Sequence, residues 1–460
     1  MTELALQAID RRTFLRRGAT IAAALGAAGP WRVAAAPAPE PYSSPPDEPI
    51  FLLEGSTVED HWGVKRRLNP LVKSPRNPII SKDRGWEGSG PYVYGSVLYD
   101  AQDRHFKCWY TVYHDHEYRN RLPGSYMVCF ATSEDGYTWH KPELDLVEWK
   151  GSRKNNLVNL GRKYVASLTV VPVPAGSGIK ARFVTVYLDE PGVCLAYSDD
   201  GARWRQHDGN PIEPHHSDTQ NSIVHDPVRR TWMVHLRPPI YAGPWKRRIA
   251  VMESADLKTW TRPQVCLTPD EADPPEFYGM PVFRRGNLFW GLLQVFDASE
   301  GRIEIELPFS ADGRNWQRVP PREMFLKRGA PGEFDAGMIT TAGSPVIVEG
   351  EMRLYYGGWK VDHRQQMPAD VALASIGMAS VPVDRFYGVT ADQPNEPGSV
   401  LTRPLMLKGN GLELNARAEG EIRIALLDAA GKELPGFGLA DSVPARGDGI
   451  RQAVAWRQKR

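Results

Sequence analysis

Four short segments of the chain each place a carboxylate just before an apolar, strand-like run. They are WEGSGPY with Glu87, HHSDTQNS with Asp218, PPEFYGM with Glu276 and GEFDAGM with Asp335. Two carboxylates that flank one bond, one kept protonated as an acid and one ionised as a base or nucleophile, can hydrolyse a glycosidic bond. A third acid can tune the proton donor through repulsion between like charges. We expect these four residues to be the catalytic candidates if the fold brings them together.

The surroundings of the four carboxylates suggest different roles for them. Glu276 is the candidate for the general acid, because its apolar and aromatic neighbours disfavour the charged form of a carboxyl group. Asp218 and Asp335 are candidates for the base or nucleophile and for its modulator. Glu87 is the fourth candidate. The sequence does not fix the order of these roles.

Aromatic, amide and basic residues near the same segments could hold a sugar. Aromatic rings stack on the apolar faces of sugars, while arginine and histidine donate hydrogen bonds to hydroxyl or carboxylate groups. The candidates for substrate binding are Trp86, Asn221, Tyr278, His114, His116, Arg237, Trp245, His363 and Arg364. Their basic bias suggests an anionic saccharide. The H-H-x-D group at 215–218 is not a specific ligand spacing, so we expect no metal and no cofactor.

A motif of seven residues recurs five times and predicts the elements that position these side chains. It reads SEDGYTW, SDDGARW, SADLKTW, SADGRNW and SVPVDRF, and it ends at Trp139, Trp204, Trp260, Trp316 and Phe386. An apolar strand precedes every copy, and a second pair of strands lies further upstream. A repeat of 56 to 70 residues with four strands is typical of a propeller blade. The motif therefore predicts the outer hairpin of a blade, with a structural aromatic residue.

The repeats predict an all-β chain: a five-bladed β-propeller over 50–395 and a small β-sandwich-like module over 396–460. The stretch from 50 to 80 is expected to wrap or close the ring. Innermost strands crowd around the axis of a propeller, so the carboxylate segments would converge at one end of it. Asp100 and Asp226 fall in the turns after innermost strands and are expected at the opposite end.

The N-terminus resembles a twin-arginine export signal. Arg11-Arg12 precedes Thr13, Phe14 and Leu15, and a mild apolar run with small residues follows. We expect a signal peptide over 1–36 and a Pro-rich tether over 37–49, which leaves a periplasmic or secreted protein. The apolar run is too short for stable membrane insertion after cleavage.

Composition argues against two other classes of partner. The net charge is +1, so the chain has no bulk field that would attract nucleic acid or an acidic membrane. Hydrophobic residues make up 42% and charged residues 24%, which is ordinary for a globular protein with a full core.

The blades, the S-x-D-[GL]-x-x-W hairpins, the Asn-Pro-Ile segments at 77–79 and 210–212 and the C-terminal β module resemble the five-bladed glycoside hydrolases of families 32 and 43. The resemblance covers nearly all of the mature chain and implies hydrolysis of an oligo- or polysaccharide in an axial pocket. The sequence lacks the W-x-N-D-P-N-G, R-D-P and E-C motifs of family 32, so no catalytic residue is carried over.

Two alternatives to a hydrolase remain open on the same scaffold. One is a non-catalytic propeller that binds carbohydrate. The other is a phosphorylase similar to family 130, in which phosphate would be bound by Arg237, Lys360, His363 and Arg364.

Overall fold

The computed structural model describes residues 42–43, 48–53, 56–161, 165–240, 247–319, 321–365, 371–406 and 409–457. The predicted signal peptide, most of the predicted tether and Trp245 lie outside the described residues. Within the described part of the chain, no helix has the length and apolar character needed to cross a membrane.

The lead-in and the first blade contain short strands, one turn of 3₁₀-helix and one short α-helix. The lead-in strands are β1 (Tyr42–Ser43), β2 (Val58–Trp62), β3 (Val64–Leu68) and β4 (Val72–Lys73). The 3₁₀ turn (Gly85–Glu87) precedes the first blade, which comprises β5 (Tyr92–Asp100), β6 (His105–Tyr113), α1 (Asp115–Arg119) and β7 (Tyr126–Ser133). His140 pairs with Thr132 of β7, so a single bridge marks the fourth-strand position.

The second and third blades are regular four-stranded antiparallel sheets. Blade 2 comprises β8 (Ala166–Pro172), β9 (Phe183–Asp189), β10 (Gly192–Ser198) and β11 (Arg205–Gln206). Blade 3 comprises β12 (Ser222–Asp226), β13 (Thr231–Leu236), β14 (Ile249–Ser254) and β15 (Gln264–Leu267). In each blade the strands run outward from the axis in chain order.

The fourth blade is a four-stranded sheet divided into two ladders. Its strands are β16 (Glu276–Gly279), β17 (Val282–Arg285), β18 (Leu288–Gly291), β19 (Leu293–Asp297), β20 (Arg302–Glu306), β21 (Phe309–Ser310) and β22 (Trp316–Gln317). The breaks fall at Pro281 and Pro308 and at Leu292 on the strand between them. Proline has no N–H to give to a ladder, and the two prolines interrupt the strands on either side of Leu292 at the same level.

The fifth blade closes the ring with a strand from the other end of the chain. It comprises β23 (Met338–Thr341), β24 (Val346–Val348), β25 (Glu351–Trp359) and β26 (Ala374–Pro382). Its outermost strand is β4 of the lead-in, which pairs with β26 through Lys73 and Ala379. The predicted role of the lead-in in closing the ring is confirmed.

The tail forms further β-structure with the lead-in. It contains β27 (Tyr387–Ala391), β28 (Ser399–Thr402), β29 (Leu405–Met406), β30 (Glu413–Ile422) and β31 (Ala445–Ala453). β27 pairs with β3, β28 with β2 and β29 with β1, while β30 pairs with β31. The propeller is thus followed by a small C-terminal β-sandwich-like domain, and lead-in strands pair with strands on both sides of the predicted boundary at 395.

Five hydrophobic cores lie between successive blades and show that the ring has five blades. Successive side chains of a strand point to opposite faces of the sheet, so alternate residues pack in different cores. On β6, Cys108 and Tyr110 pack against blade 5, while Trp109 packs against blade 2. The remaining cores join blades 2 and 3, blades 3 and 4, and blades 4 and 5.

The first four copies of the recurring motif form the outer hairpin of a blade, as predicted, whereas the fifth copy, which ends at Phe386, leads from β26 to β27 because the outermost strand of blade 5 is β4. In blade 1, Ser133 Oγ accepts a hydrogen bond from the N–H of Gly136 at 2.8 Å, and Asp135 accepts one from the N–H of Thr138 at 2.7 Å. The same pattern recurs at Ser198 and Ser310 and their aspartates, and in the third copy Asp256 accepts the N–H of Thr259 while Ser254 accepts the N–H of Asp256. Trp204 packs edge-on against Trp109 at 6.3 Å, in the core between blades 1 and 2.

The Asn-Pro-Ile segments also have a structural explanation. The side-chain amide of Asn77 exchanges two hydrogen bonds with the backbone of Met378 on β26, at 2.9 and 2.8 Å. Asn210 forms the same pair with Leu195 on β10, at 2.8 Å each. β26 and β10 are the third strands of their blades. Each asparagine bonds a backbone N–H and a C=O of that strand at a position that the short outermost strand does not reach.

Candidate active site

Gln220 occupies the axis and closes it. Its side-chain amide donates to the carbonyls of Thr341 at 2.9 Å and Gly95 at 3.3 Å, which belong to blades 5 and 1. Its carbonyl oxygen accepts a hydrogen bond from Gln294 of blade 4 at 3.2 Å. The backbone N–H of Gln220 donates to the hydroxyl of Tyr94 at 2.8 Å. Gln220 thus forms a floor across the axis, below the end where the innermost strands begin.

Tyr278 on β16 lies at the centre of the polar groups at this end. The guanidinium carbons of Arg237 and Arg247 are 5.2 and 5.5 Å from the centre of its ring. Its hydroxyl is 2.9 Å from Nε2 of His363, which follows β25 of blade 5. Burial, with a contribution from the charge of Asp218, raises the pKa of Tyr278 to about 12. Blades 3, 4 and 5 thus meet at one phenol ring, and we call the group formed by Asp218, Arg237, Arg247, Glu276, Tyr278 and His363 the axial cluster.

Asp218 is the exposed carboxylate of the axial cluster. Its side chain is 59% exposed, and its nearest recorded cation is Nη1 of Arg237 at 3.8 Å. The loop that presents it is fixed by Ser217 and Asn221, whose side chains are hydrogen-bonded at 2.7 Å. Asn221 is fully buried. We therefore assign Asn221 to the support of the Asp218 loop rather than to direct substrate contact.

Glu276 forms a close ion pair instead of lying in an apolar environment. Its Oε2 is 2.6 Å from Nη1 of Arg247, and its side chain is 8% exposed. Arg247 also lies over the ring of Phe296, 5.2 Å from the ring centre. The sequence argument expected apolar and aromatic groups around Glu276 and missed the arginine that pairs with it.

The charges of the described residues in the axial cluster cancel. Burial and the nearby charge of Arg247 lower the pKa of His363 to about 4, so the imidazole is neutral at pH 7. Arg237 and Arg247 are then balanced by Asp218 and Glu276. The basic bias read from the sequence is therefore absent from these six residues.

Glu87 is buried in an ion pair within blade 1. Its side chain is 0% exposed, its Oε1 is 2.6 Å from Nζ of Lys141, and the hydroxyl of Tyr110 donates to it at 2.8 Å. Lys141 follows the outer hairpin that ends at Trp139. The structure does not bring Glu87 into the axial cluster. We correct its predicted catalytic role to a structural one, since it has no exposed surface through which to meet a ligand.

Asp335 has an equivalent position in blade 5. Its side chain is 1% exposed, its Oδ2 is 2.6 Å from Nζ of Lys73 on β4, and the hydroxyl of Tyr356 donates to it at 2.9 Å. An asparagine binds the tyrosine hydroxyl in both blades, Asn156 at Tyr110 and Asn77 at Tyr356. The repetition indicates that a buried acid paired with an outer lysine is a blade element, so the catalytic prediction for Asp335 is corrected in the same way.

The remaining predicted binding residues are distributed around blade 1 and the rim. Trp86 packs against Trp149 and donates to Asn156 at 2.7 Å, so it belongs to the outer part of blade 1. His114 is buried against the carbonyl of Trp86, whereas His116 is exposed on α1. Arg364 is exposed and bonds Asp362 and the carbonyl of Ser299. Of the nine predicted binding residues, Tyr278, Arg237 and His363 belong to the axial cluster.

The predictions missed Arg247 and a group of tyrosines. Tyr92, Tyr94 and Tyr113 are buried in one hydrophobic core beside the axis, and Tyr126 and Tyr278 pack against it. The segment PYVYGS shows two of these tyrosines at alternate positions at the start of an innermost strand, which was a usable signal. Asp100 and Asp226 cap turns at the opposite end, as predicted, and Asp226 accepts the N–H of Val228 at 2.9 Å.

Among the described residues, no group of three or more histidine, cysteine, aspartate or glutamate side chains could hold a metal ion.

Comparison with known proteins gives only distant structural similarity. No family model matches the chain, and no curated protein matches it. The β-1,2-mannobiose phosphorylase from Listeria innocua is 12% identical, with a TM-score of 0.48 over 69% of this chain and 98% of that chain. A thermostable family-43 glycoside hydrolase is 13% identical, with a TM-score of 0.46 over 69% and 98%. An N-acetylgalactosamine deacetylase from F. plautii is 14% identical, with a TM-score of 0.45 over 70% and 96%. Likenesses this distant carry no argument about chemistry.

Proposed function

We propose that the chain is an exported glycoside hydrolase that cleaves O-glycosyl bonds of an oligo- or polysaccharide at the axial cluster. One observation carries the proposal: Asp218 of blade 3 and Glu276 of blade 4 approach the same tyrosine, each through an arginine that packs on its ring. Two carboxylates around one aromatic ring provide the acid, the base and the stacking surface that glycoside hydrolysis needs.

The ion pairs favour a particular division of roles between the carboxylates. Glu276 is held by Arg247 at 2.6 Å, so we assign it as the nucleophile or as the base that deprotonates water. Asp218 has its arginine further away, at 3.8 Å, and is exposed, so we assign it to take up a proton when a sugar covers it and to pass that proton to the leaving-group oxygen. As that carbon–oxygen bond breaks, Glu276 or the water that it activates bonds to the anomeric carbon.

Neutral hydrogen-bonding groups would orient the sugar between these two residues. The hydroxyl of Tyr278 and the imidazole of His363 are already bonded to each other at 2.9 Å and would be shared with sugar hydroxyls. Arg237 donates to the backbone carbonyl of Tyr278 at 3.1 Å, which fixes its guanidinium beside Asp218. A site held rigid in this way loses little entropy when it binds substrate.

The experiment that tests the function is an activity panel. The purified mature chain would be incubated with aryl glycosides and polysaccharides, with and without added phosphate, and the products identified. Free reducing sugar formed without phosphate supports hydrolysis. A sugar phosphate formed only with phosphate would replace the proposal with phosphorolysis. A complete lack of cleavage across the panel, with saccharide binding retained, would replace it with a binding function.

An anionic saccharide remains part of the proposal and has its own test. The described charges of the axial cluster cancel, so a preference for acidic sugars would have to come from other groups on the rim. Comparing kcat/KM for a uronide and its neutral counterpart decides the point. Equal values would remove the anionic prediction without affecting the hydrolase proposal.

A non-catalytic carbohydrate-binding propeller is the second candidate. The specific observation in its favour is that both carboxylates of the axial cluster have arginine partners and can serve as hydrogen-bond acceptors alone. The phosphorylase alternative has less support. Two of the residues predicted to bind phosphate already have partners, because Arg364 is bonded to Asp362 and Arg237 to Tyr278 and Asp218.

Export through the twin-arginine route is a separate part of the proposal. The residues that suggest it, Arg11 and Arg12, lie outside the described part of the chain. Changing both to lysine should leave the precursor in the cytoplasm, since that route reads the arginine pair. Cell fractionation with an antibody to the chain checks this, and normal export of the double variant would point to another route.

A further inference from the structure

Tyr118 is an exposed aromatic residue held in a fixed position above blade 1. It lies on α1 and is 53% exposed. Its ring centre is 5.5 Å from that of Tyr113 and 5.8 Å from that of Tyr126. An aromatic ring that is exposed on one side and packed on the other is ready to stack with a ligand.

The short helix that carries Tyr118 is held through Asp115. Asp115 and Arg119 form an ion pair at 2.6 Å across the turn. The hydroxyl of Tyr113 donates to Asp115 at 3.0 Å, which joins the helix to β6. These two contacts hold the helix in place without involving the exposed face of Tyr118.

The supporting rings connect Tyr118 to the axial cluster. Tyr113 belongs to the hydrophobic core beside the axis, and both Tyr126 and Tyr278 pack against that core. Tyr118 contacts Tyr113 and Tyr126, so it is joined to Tyr278 through one group of packed tyrosines beside the axis. Burial raises the pKa of Tyr118, and the charge of Asp218 adds to this.

We propose that Tyr118 forms a second saccharide subsite, in which the C–H face of a sugar ring next to the one at Tyr278 stacks on the phenol ring. This inference rests on the proposed function, since it takes the ligand to be a saccharide of at least two units. The residue binds substrate and takes no part in bond cleavage.

The test compares Tyr118→Ala with Tyr118→Phe on substrates of different length. A stacking contact is worth about 3- to 10-fold in affinity. The ratio of kcat/KM for an oligosaccharide to that for an aryl monoglycoside should fall by this factor in Tyr118→Ala, through KM rather than kcat. Tyr118→Phe keeps the ring and should keep the wild-type ratio. Calorimetric binding of the same oligosaccharide should weaken in parallel in Tyr118→Ala.

Tyr99 provides the matched control. It is 40% exposed, lies near the opposite end of β5 from Tyr92 and packs edge-on against Phe106. Tyr99→Ala should leave the ratio unchanged, and melting temperatures would show that all variants fold. An unchanged ratio and affinity in Tyr118→Ala would overturn the subsite while the wild-type activity stands. A wild-type protein that neither binds nor cleaves any saccharide would instead overturn the proposed function itself.

Discussion

Asp218 and Glu276 differ from Glu87 and Asp335 in the place from which the partner cation comes. Arg237 follows β13 and Arg247 precedes β14, at the axial end of blade 3, and they pair with their carboxylates there. Lys141 and Lys73 come from outer positions of a blade, and the carboxylates that pair with them are buried within it. The residue that neutralises each acid therefore decides whether that acid can meet a ligand.

The first prediction separates the proton donor from the ionised carboxylate by the leaving group. Asp218→Asn should lower turnover about 10²- to 10⁴-fold on oligosaccharides, the usual contribution of a general acid. Its loss should be much smaller on dinitrophenyl glycosides, whose leaving group needs no proton. Glu276→Gln should lose activity on both substrates, because its role does not depend on the leaving group. Steady-state kinetics of the two variants measures this.

Asp226→Asn is the control for both variants. Like Glu276, Asp226 is buried and paired with an arginine, Arg229 at 2.6 Å, but it lies in a turn at the opposite end of blade 3. It should cost stability and little rate. If Asp226→Asn removed turnover while Asp218→Asn and Glu276→Gln kept it, the catalytic end would be the opposite one.

The second prediction concerns the pH dependence of stability at His363. The pKa of His363 is lowered to about 4 in the folded protein, whereas an unfolded histidine titrates near 6.5. Between these values the unfolded chain binds more protons, so this group makes the folded state less stable as pH falls from about 6.5 to 4. The groups that face it are Tyr278, Arg247, Arg237, Asp218 and Asp362.

Urea unfolding at pH 7 and pH 4.5 measures that dependence. The wild type should lose about 1 to 3 kcal/mol more than His363→Gln over this interval, because glutamine keeps a neutral hydrogen-bonding group but does not titrate. Equal losses in the two proteins would show that the imidazole is not held neutral by its surroundings.

At the scale of elements, the local sequence predicts the blades, whereas contacts between distant residues determine which carboxylates reach the axial end and which are buried. The serine and aspartate of each motif bond backbone groups only two or three residues away, so the sequence specifies the hairpin directly. The pairing of Asp335 with Lys73 joins residues 262 positions apart. Such a pairing leaves no local signal, which is why two buried structural acids resembled catalytic ones.

The third prediction tests the structural role of these acids. Asp335→Ala leaves Lys73 and the hydroxyl of Tyr356 without their buried acceptor and should lower the free energy of unfolding by about 3 kcal/mol. The rate per folded molecule should not change. Glu419→Gln is the control, because its pair with Arg417 is 87% and 70% exposed and should cost less than about 1 kcal/mol. Urea unfolding with activity at matched folded fraction checks both. A large loss of rate without loss of stability in Asp335→Ala would return Asp335 to the catalytic candidates.

At the scale of the whole molecule, the ring is closed by joining its two chain ends. β4 completes blade 5, and β2 and β3 pair with β28 and β27 of the tail. The sequence indicated that the lead-in wraps or closes the ring, but the particular partners follow from three-dimensional proximity and could not be read from it.

The fourth prediction uses this closure. A chain that lacks residues 1–41 retains β4 and should melt near the temperature of the longer chain. A chain that lacks residues 1–75 loses all four lead-in strands and leaves β26, β27 and β28 without these partners, so it should melt lower or aggregate. Differential scanning calorimetry compares them. Equal melting temperatures would show that the lead-in strands contribute little to closure.

The central claim is that a saccharide is bound and cleaved at the axial cluster. A crystal structure of the Asp218→Asn variant soaked with an oligosaccharide that the wild type cleaves tests it most directly. We expect a sugar ring on Tyr278, with the glycosidic oxygen about 3 Å from the side chain at position 218 and the anomeric carbon facing Glu276. Carboxyl groups about 5 to 5.5 Å apart would predict retention of configuration, and about 6.5 to 9.5 Å inversion. A saccharide bound at the opposite end of the propeller, beside Asp226, would contradict the account.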